Sequence, residues 1–199
     1  ISINKNSSDY RNFIMHGEES VIHHWMKKGV KGWRLDVVDE LPEDFVYELR
    51  QEVKTIDNQS VVLGEVWEDA SNKISYGVTR KYLLGQELDS VMNYPFRKIV
   101  LSFIKGEISG EKCFRKFMSL YENYPEEYFY STMNLLGSHD VPRLLTELQE
   151  DTSSKRSLEK LKMAVLFQMT FPGVPSIYYG DEVGLRGGSD PSNRGTYPW

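Results

Sequence analysis

Residues 32–40 read GWRLDVVDE. A short apolar run leads straight into a carboxylate, Asp36, with Arg34 two positions before it. Side chains two apart on a strand share a face. Arg34 and Asp36 therefore point one way, and Trp33, Leu35 and Val37 point toward outer helices. The wider run Val30–Val38 reads as the strand. Before it, Val21, Ile22, Trp25 and Met26 recur at helical spacing and Gly29 stops them. After it, Pro42 opens a helix with Phe45, Leu49 and Val53 on one stripe.

The same alternation continues outward. Val61–Val66 is a continuous apolar run, the pattern of a strand buried on both faces. A loop is expected near 68–78, and Ser90–Tyr94 is the third strand candidate. Helical patterns cover 96–105 and 110–123, and Thr132–Gly137 is the fourth strand. The longest helix is expected over 153–171, with Leu158, Leu161, Val165, Leu166 and Met169. Pro172-Gly173 ends it, and Val174–Tyr179 is the fifth strand. Strands separated by helices imply βαβ units, a parallel sheet and an α/β fold. Five strands fit an open doubly wound sheet. They also fit part of an eight-stranded barrel, which needs about 250 residues. Length favours the first, and the chemistry below favours the second.

The 199 residues are 40% hydrophobic and 27% charged, a composition that folds rather than staying disordered. With 24 basic against 29 acidic residues and a net charge of −5, the chain is a poor nucleic-acid binder. A single cysteine, Cys113, excludes an internal disulfide and reads as a small buried residue. No apolar stretch of about 18 residues exists to span a membrane, and ISINKNSSDY lacks a signal-peptide core. The missing initiator Met and the abrupt end at Trp199 read as an excised piece.

Three strand candidates end in carboxylates: GWRLD in Asp36, VVLGE in Glu65 and NLLGSHD in Asp140. Parallel α/β scaffolds bind ligands at the carboxyl ends of their strands, so the three acids are expected at one rim. Any one alone reads as a solvated loop acid. All three directly after apolar runs point to function, because like charges repel and desolvation is costly. Arg34 would hold Asp36 ionised, as a nucleophile requires. Glu65 beside apolar walls would keep its proton and serve as general acid, with Trp67 as such a wall or as a sugar-stacking face. An ionised and a protonated carboxyl together equip a glycosidase; a divalent metal is the alternative ligand of such a pair. His139 is a candidate donor to a substrate hydroxyl. His16, His23 and His24 read as partly exposed helix residues. Nucleotide-loop, zinc-protease and C-x-x-C patterns are absent.

GWRLDVVDE, LGEVW and LLGSHD resemble, in order, the second, third and fourth conserved stretches of the α-amylase family, glycoside hydrolase family 13. SVMNYPF and PSIYYGDEVGL extend the resemblance toward its neopullulanase, cyclomaltodextrinase and maltogenic amylase branch. The resemblance implies a (β/α)8 TIM-type barrel, of which residues 1–199 would be strands four to eight. The N-terminal barrel half, the inserted domain and the C-terminal β domain would lie outside this chain. It implies a retaining hydrolase of α-glucosidic linkages in cyclodextrins, pullulan, starch or maltooligosaccharides. Asp36 would be nucleophile, Glu65 acid/base and Asp140 the third acid, with Arg34 and His139 supporting the nucleophile and binding hydroxyls. Trp67 would flank the aglycone, Asp39 and Glu40 line acceptor subsites, and Asp190 and Arg194 contact the donor side. Two positions depart from the pattern: Asp39 stands where Asn is commoner, and Gly195 where a second arginine is common. No cofactor is implied for the chemistry and no metal site in this chain, although the family's inserted domain often carries calcium. The parent protein is expected to be a cytoplasmic homo-oligomer with no nucleic-acid or membrane partner, and the isolated piece to be inactive. The competing reading is a non-catalytic, carbohydrate-binding or transporter-associated relative of the same fold.

Overall fold

A computed structural model describes residues 3–149 and 154–199. They form two compact units, Ile1–Met92 and Asn93–Trp199. In the first unit, α1 (Ser8–Arg11) runs into a turn of π-helix, followed by α2 (Val21–Lys27), β1 (Gly32–Leu35), α3 (Glu43–Ile56), β2 (Val61–Gly64), the short β3 (Ile74–Ser75) and β4 (Val78–Thr79), and β5 (Ser90–Val91). The strands β1, β2 and β5 form a parallel sheet in that order. Ser20 caps α2, accepting from the His23 N–H and donating to the Met15 carbonyl. Phe45, Val46, Leu49 and Val53 bury one face of α3, the stripe that the spacing predicts.

A polar clamp fastens α3 to the sheet. Asp89, just before β5, accepts from Arg50 Nε and Nη2 at 3.1 and 2.8 Å and from the Val62 N–H at 2.8 Å; Lys54 Nζ lies 2.9 Å away. Burial alone would push the Asp89 carboxyl up, but these donors outweigh it and hold it below its ordinary range.

Several expectations are corrected here. The first strand stops at Leu35 instead of reaching Val38, because the chain turns at Asp36. Val37 is therefore not turned toward outer helices: it is 49% exposed, in the left-handed region at φ 44°. Val61 is exposed, so β2 is not buried on both faces along its whole length. The expected loop at 68–78 contains an antiparallel hairpin, β3–β4, with Ile74 opposite Thr79 and Ser75 opposite Val78. Its two-residue turn, Tyr76-Gly77, has both φ angles positive, at 51° and 78°, as tight hairpins require. The third strand ends at Val91, because Asn93 caps the following helix.

The second unit contains α4 (Tyr94–Ile104), α5 (Gly110–Asn123), α6 (Glu126–Ser131), β6 (Met133–Leu135), α7 (Leu144–Glu147), α8 (Ser154–Thr170) and β7 (Val174–Ser176). Strands β6 and β7 pair in parallel. Helix α6 is an addition to the elements expected from sequence, and the position-153 start of the last helix lies outside the described residues. Asn134, Asn93 and Gln168 form a buried network under β6. Asn93 Nδ2 donates to Asn134 Oδ1, Asn134 Nδ2 to the Pro172 carbonyl, and Gln168 Nε2 to the Asn134 and Ser176 carbonyls, at 2.8–2.9 Å. Phe117 packs its ring against Phe96, Phe167 and Phe171. Cys113 is buried, and burial pushes its thiol up. Within α8, Leu161 and Ala164 are buried, whereas Leu158, Leu166 and Met169 are exposed; the apolar set is wider than the face this unit covers. No helix among the described residues is long and apolar enough to cross a membrane.

Candidate functional site

The first unit holds the two leading carboxylates. Leu35 pairs with Gly64, and the Glu65 N–H donates to the Leu35 carbonyl at 3.0 Å, continuing the ladder. Asp36 and Glu65 are thus the next residues on two neighbouring parallel chains, which run about 4.8 Å apart. Gly64 fits this place because a Cβ there would lie 2.5 Å from Leu88 Cδ1 and 3.2 Å from Val38 Cγ1.

One guanidinium ties the pair together. Arg34 Nη1 donates to Asp36 Oδ1, and Nη2 lies 3.0 Å from Glu65 Oε1. Two carboxylates this close repel unless a cation sits between them, and Arg34 supplies it. The contact between Arg34 and Asp36 is therefore present, although Asp36 lies in the turn past the end of β1 and not on a strand face shared with Arg34. Asp36 is exposed, whereas Glu65 is only 5% exposed. The surroundings of Glu65 differ from the apolar wall expected. Its Oε2 accepts from the Val37 N–H at 2.8 Å, and its Oε1 accepts from Trp67 Nε1–H at 3.1 Å. Trp67 presents a donor to Glu65 and leaves about half its surface to solvent.

Sequence reasoning missed the role of Val37. A β-branched residue in the left-handed region is strained by about 1–2 kcal/mol, and this conformation accompanies an N–H aimed at Glu65. Nothing in the local sequence signals it.

Asp39 and Glu40 follow in a turn of 3-10 helix, Val38–Glu40. The Asp39 carboxylate accepts from the Tyr82 hydroxyl at 2.7 Å and pairs with Lys73 Nζ at 2.9 Å. Burial, helped by Asp39, pushes the Tyr82 hydroxyl up. Glu40 accepts from the Tyr76 hydroxyl.

In the second unit, β6 leads through Gly137 to His139 and Asp140. His139 Nε2 lies 3.1 Å from Asp140 Oδ2, and Arg194 Nη2 lies 3.6 Å from Asp140 Oδ1. Arg194 also pairs with Asp190, Nε to Oδ1 at 3.0 Å. Four of the expected residues therefore gather here, with Arg194 between two carboxylates. Asn193, which the sequence reading did not single out, is fully buried. Its Nδ2 donates to the carbonyls of His139 and Val141 at 2.7 and 2.9 Å, which fixes the backbone on either side of Asp140. Among the described residues, no group of three His, Cys, Asp or Glu side chains is placed to hold a metal ion.

Comparison with known proteins gives a consistent set of matches. The alpha amylase catalytic domain matches residues 4–197. Amylopullulanase of Thermoanaerobacterium thermosulfurigenes is 37% identical over 98% of this chain and 11% of its own length. Neopullulanase 2 of Thermoactinomyces vulgaris is 40% identical over 90% of this chain and 28% of its own. A solved cyclomaltodextrinase superposes with a TM-score of 0.84 at 37% identity, covering 99% of this chain and 31% of that one. The ligand-free cyclic α-maltosyl-(1→6)-maltose hydrolase of Arthrobacter globiformis gives 0.82 at 31% identity, covering 98% and 40%. The chain spans between 11% and 32% of the curated relatives it matches.

Proposed function

The chain belongs to the alpha-amylase catalytic-domain family, whose fold is the (β/α)8 barrel, and from that membership we propose that it carries the reactive centre of a retaining hydrolase of α-glucosidic linkages. Its residues correspond in this reading to barrel strands four to eight. The observation that supports it most is the Arg34 guanidinium holding one oxygen of Asp36 and facing one of Glu65 at the ends of adjacent strands. A retaining mechanism works with carboxyl groups about 5–5.5 Å apart, close to the spacing of neighbouring strands.

In the proposed cycle, Asp36 attacks the anomeric carbon while Glu65 gives its proton to the departing glycosidic oxygen. The bond to the leaving sugar breaks and an ester to Asp36 forms. Glu65 then takes a proton from water or from a sugar hydroxyl, which attacks the same carbon and frees Asp36. Asp140 and His139 grip substrate hydroxyls, Trp67 flanks the aglycone, and Asp190 and Arg194 contact the donor side. The cycle routes no step through a cofactor. The substrates are α-glucans, the class named in the relatives: amylopullulanase, neopullulanase, cyclomaltodextrinase.

The test is reducing-sugar release from cyclodextrin, pullulan and starch, by the full-length protein and by this 199-residue chain, each beside Glu65→Gln. Activity of the full-length protein that Glu65→Gln abolishes supports the assignment. A folded, inactive full-length protein would move the chain to the non-catalytic class. We also propose that the isolated chain is inactive and self-associates through unpaired strand edges; a clean monomer in sedimentation velocity would count against this.

A further inference from the structure

Residues 136–143 carry His139 and Asp140 from the end of β6 to α7 and form neither helix nor strand. Their backbone is held by side chains and loops from elsewhere in the second unit. Arg97 Nε, on α4, donates to the Leu136 carbonyl at 2.9 Å. The Asp140 N–H donates to Ser138 Oγ, and the Tyr94 hydroxyl lies against the same oxygen, both at 3.2 Å. The Arg143 N–H donates to the Gly187 carbonyl at 3.0 Å.

One carboxylate meets both ends of this segment. Asp181 lies in a turn of 3-10 helix, Asp181–Val183, after β7. Its Oδ2 packs against Gly137 so closely that a Cβ there would collide with it, and only glycine allows that approach. At the other end, Arg143 Nη1 lies 3.6 Å from Asp181 Oδ1, and the Leu144 N–H hydrogen-bonds to the same carboxylate. His139 and Asp140 sit between these two contacts.

This arrangement costs stability. Arg143 is fully buried, with its guanidinium 4.2 and 4.5 Å from the ring centres of Tyr178 and Tyr179. Its Nε and Nη2 and the Oδ1 of Asp181 are buried without a hydrogen-bond partner, and each such atom is unfavourable. Burial pushes the Asp181 carboxyl up to about 6, so its charge at neutral pH is held against desolvation. The charged and titratable groups around it are Arg143, the adjacent Glu182, Tyr178 and, from α4, Arg97, which Glu147 of α7 also faces. Features kept at such a cost cluster where geometry serves function. Here the nearest chemistry is the segment that the carboxylate grips.

We propose that Asp181 is a positioning residue for Asp140 and His139: its ionised carboxylate, with Arg143, clasps the two ends of the segment that presents them. The proposal rests on the glucan reading above. It adds a charge that works through the backbone without touching substrate.

The test compares the full-length protein with Asp181→Asn, which keeps the shape and removes the charge. The readout is kcat/KM for maltoheptaose from pH 4.5 to 7.5, taken as the ratio of the two forms so that other titrating groups cancel. At pH 7 the ratio is expected to be about tenfold, the effect of turning a charge-assisted hydrogen bond into a neutral one. By pH 4.5 it is expected to fall to about one, because Asp181 is then protonated in the unsubstituted protein too. A ratio near one throughout would overturn the clasp. A constant tenfold ratio would overturn it as well, by assigning the loss to side-chain shape. Glu182→Gln removes the neighbouring exposed charge and is expected to leave kcat/KM unchanged; an equal loss there would refute a specific role for Asp181. Hydrogen–deuterium exchange of peptides covering residues 136–144 gives a readout that needs no activity. At pH 7 their exchange is expected to be about tenfold faster in Asp181→Asn, with global stability no lower, since the buried charge is itself destabilising. A purely structural residue would instead lower stability and speed exchange along the whole unit, which would count against the proposal. Unchanged exchange in 136–144 would overturn it outright. An inactive unsubstituted protein that still shows the local exchange difference would sink the glucan reading and leave the clasp supported.

Discussion

Asp181 is expected to impose a measurable pH dependence on stability. Burial raises its carboxyl to about 6 from an ordinary value of 3.8, and Arg143, 3.6 Å away, offsets this without cancelling it. Arg143 is itself 0% exposed, lies over the rings of Tyr178 and Tyr179, and donates to the Tyr179 carbonyl. Between those two pH values the folded chain keeps a proton that the unfolded chain releases. The associated stability is complete below about pH 4 and is lost as the pH rises through about 6. Two pK units at 1.36 kcal/mol each give about 3 kcal/mol across the window. Asp181→Asn removes the titration. Urea unfolding at half-unit steps from about pH 3.5 to 7.5, for both forms, gives a difference curve in which other carboxylates cancel. The stability of the unsubstituted chain relative to Asp181→Asn is expected to fall by about 3 kcal/mol, mostly between pH 4.5 and 6.5. A flat difference curve would mean that burial is not felt by the carboxyl. One that rises with pH would mean that Arg143 outweighs burial. Either result refutes the reasoning.

Other substitutions test the first unit and the aromatic core. Val37→Gly keeps the N–H on Glu65 and relieves the left-handed strain, so it is expected to stabilise by about 0.5–1 kcal/mol after the entropy of the added glycine; thermal unfolding showing a clear loss would contradict this. Gly64→Ala forces a Cβ against Leu88, which is buried and has little room to turn. A loss of about 1–3 kcal/mol is expected, with activity falling as Glu65 shifts, and a wild-type melting curve would exclude the clash. Phe117→Ala empties the centre of the phenylalanine cluster and is expected to cost about 3–5 kcal/mol by denaturant titration.

The parts legible in the sequence are those set by local periodicity. The apolar runs before Asp36, Glu65 and Asp140 mark strands, and the Arg34–Asp36 spacing gives their contact, though not the turn that starts at Asp36. Pro42 and the stripe of Phe45, Leu49 and Val53 give the start and the buried face of α3. The illegible parts depend on partners far along the chain or on unusual turn chemistry. Tyr76-Gly77 is not the Asn-Gly pair that advertises a hairpin, and strands of two residues carry no alternation. Asn193 gains its role from carbonyls more than 50 residues away. Glu65 sits after an apolar run, which suggests an apolar setting, but its neighbours Val37 and Trp67 turn donors toward it. The short α6 had a signal, Pro125 followed by two glutamates, masked by the aromatic residues behind it.

The ladder pairing Leu35 with Gly64 also governs what the chain can tolerate over evolutionary time. The two carboxylates are positioned by four residues on each strand, and the stretch from Glu68 to Glu87 lies downstream of both, between Trp67, which holds Glu65, and Leu88, which packs on Gly64. Segments can be inserted, lengthened or exchanged there while the two carboxylates keep their alignment. The β3–β4 hairpin occupies that region. New loops can therefore change what lies beside Asp36 and Glu65 while the pair itself is inherited unchanged, whereas a one-residue insertion in either strand would turn its carboxylate to the opposite face.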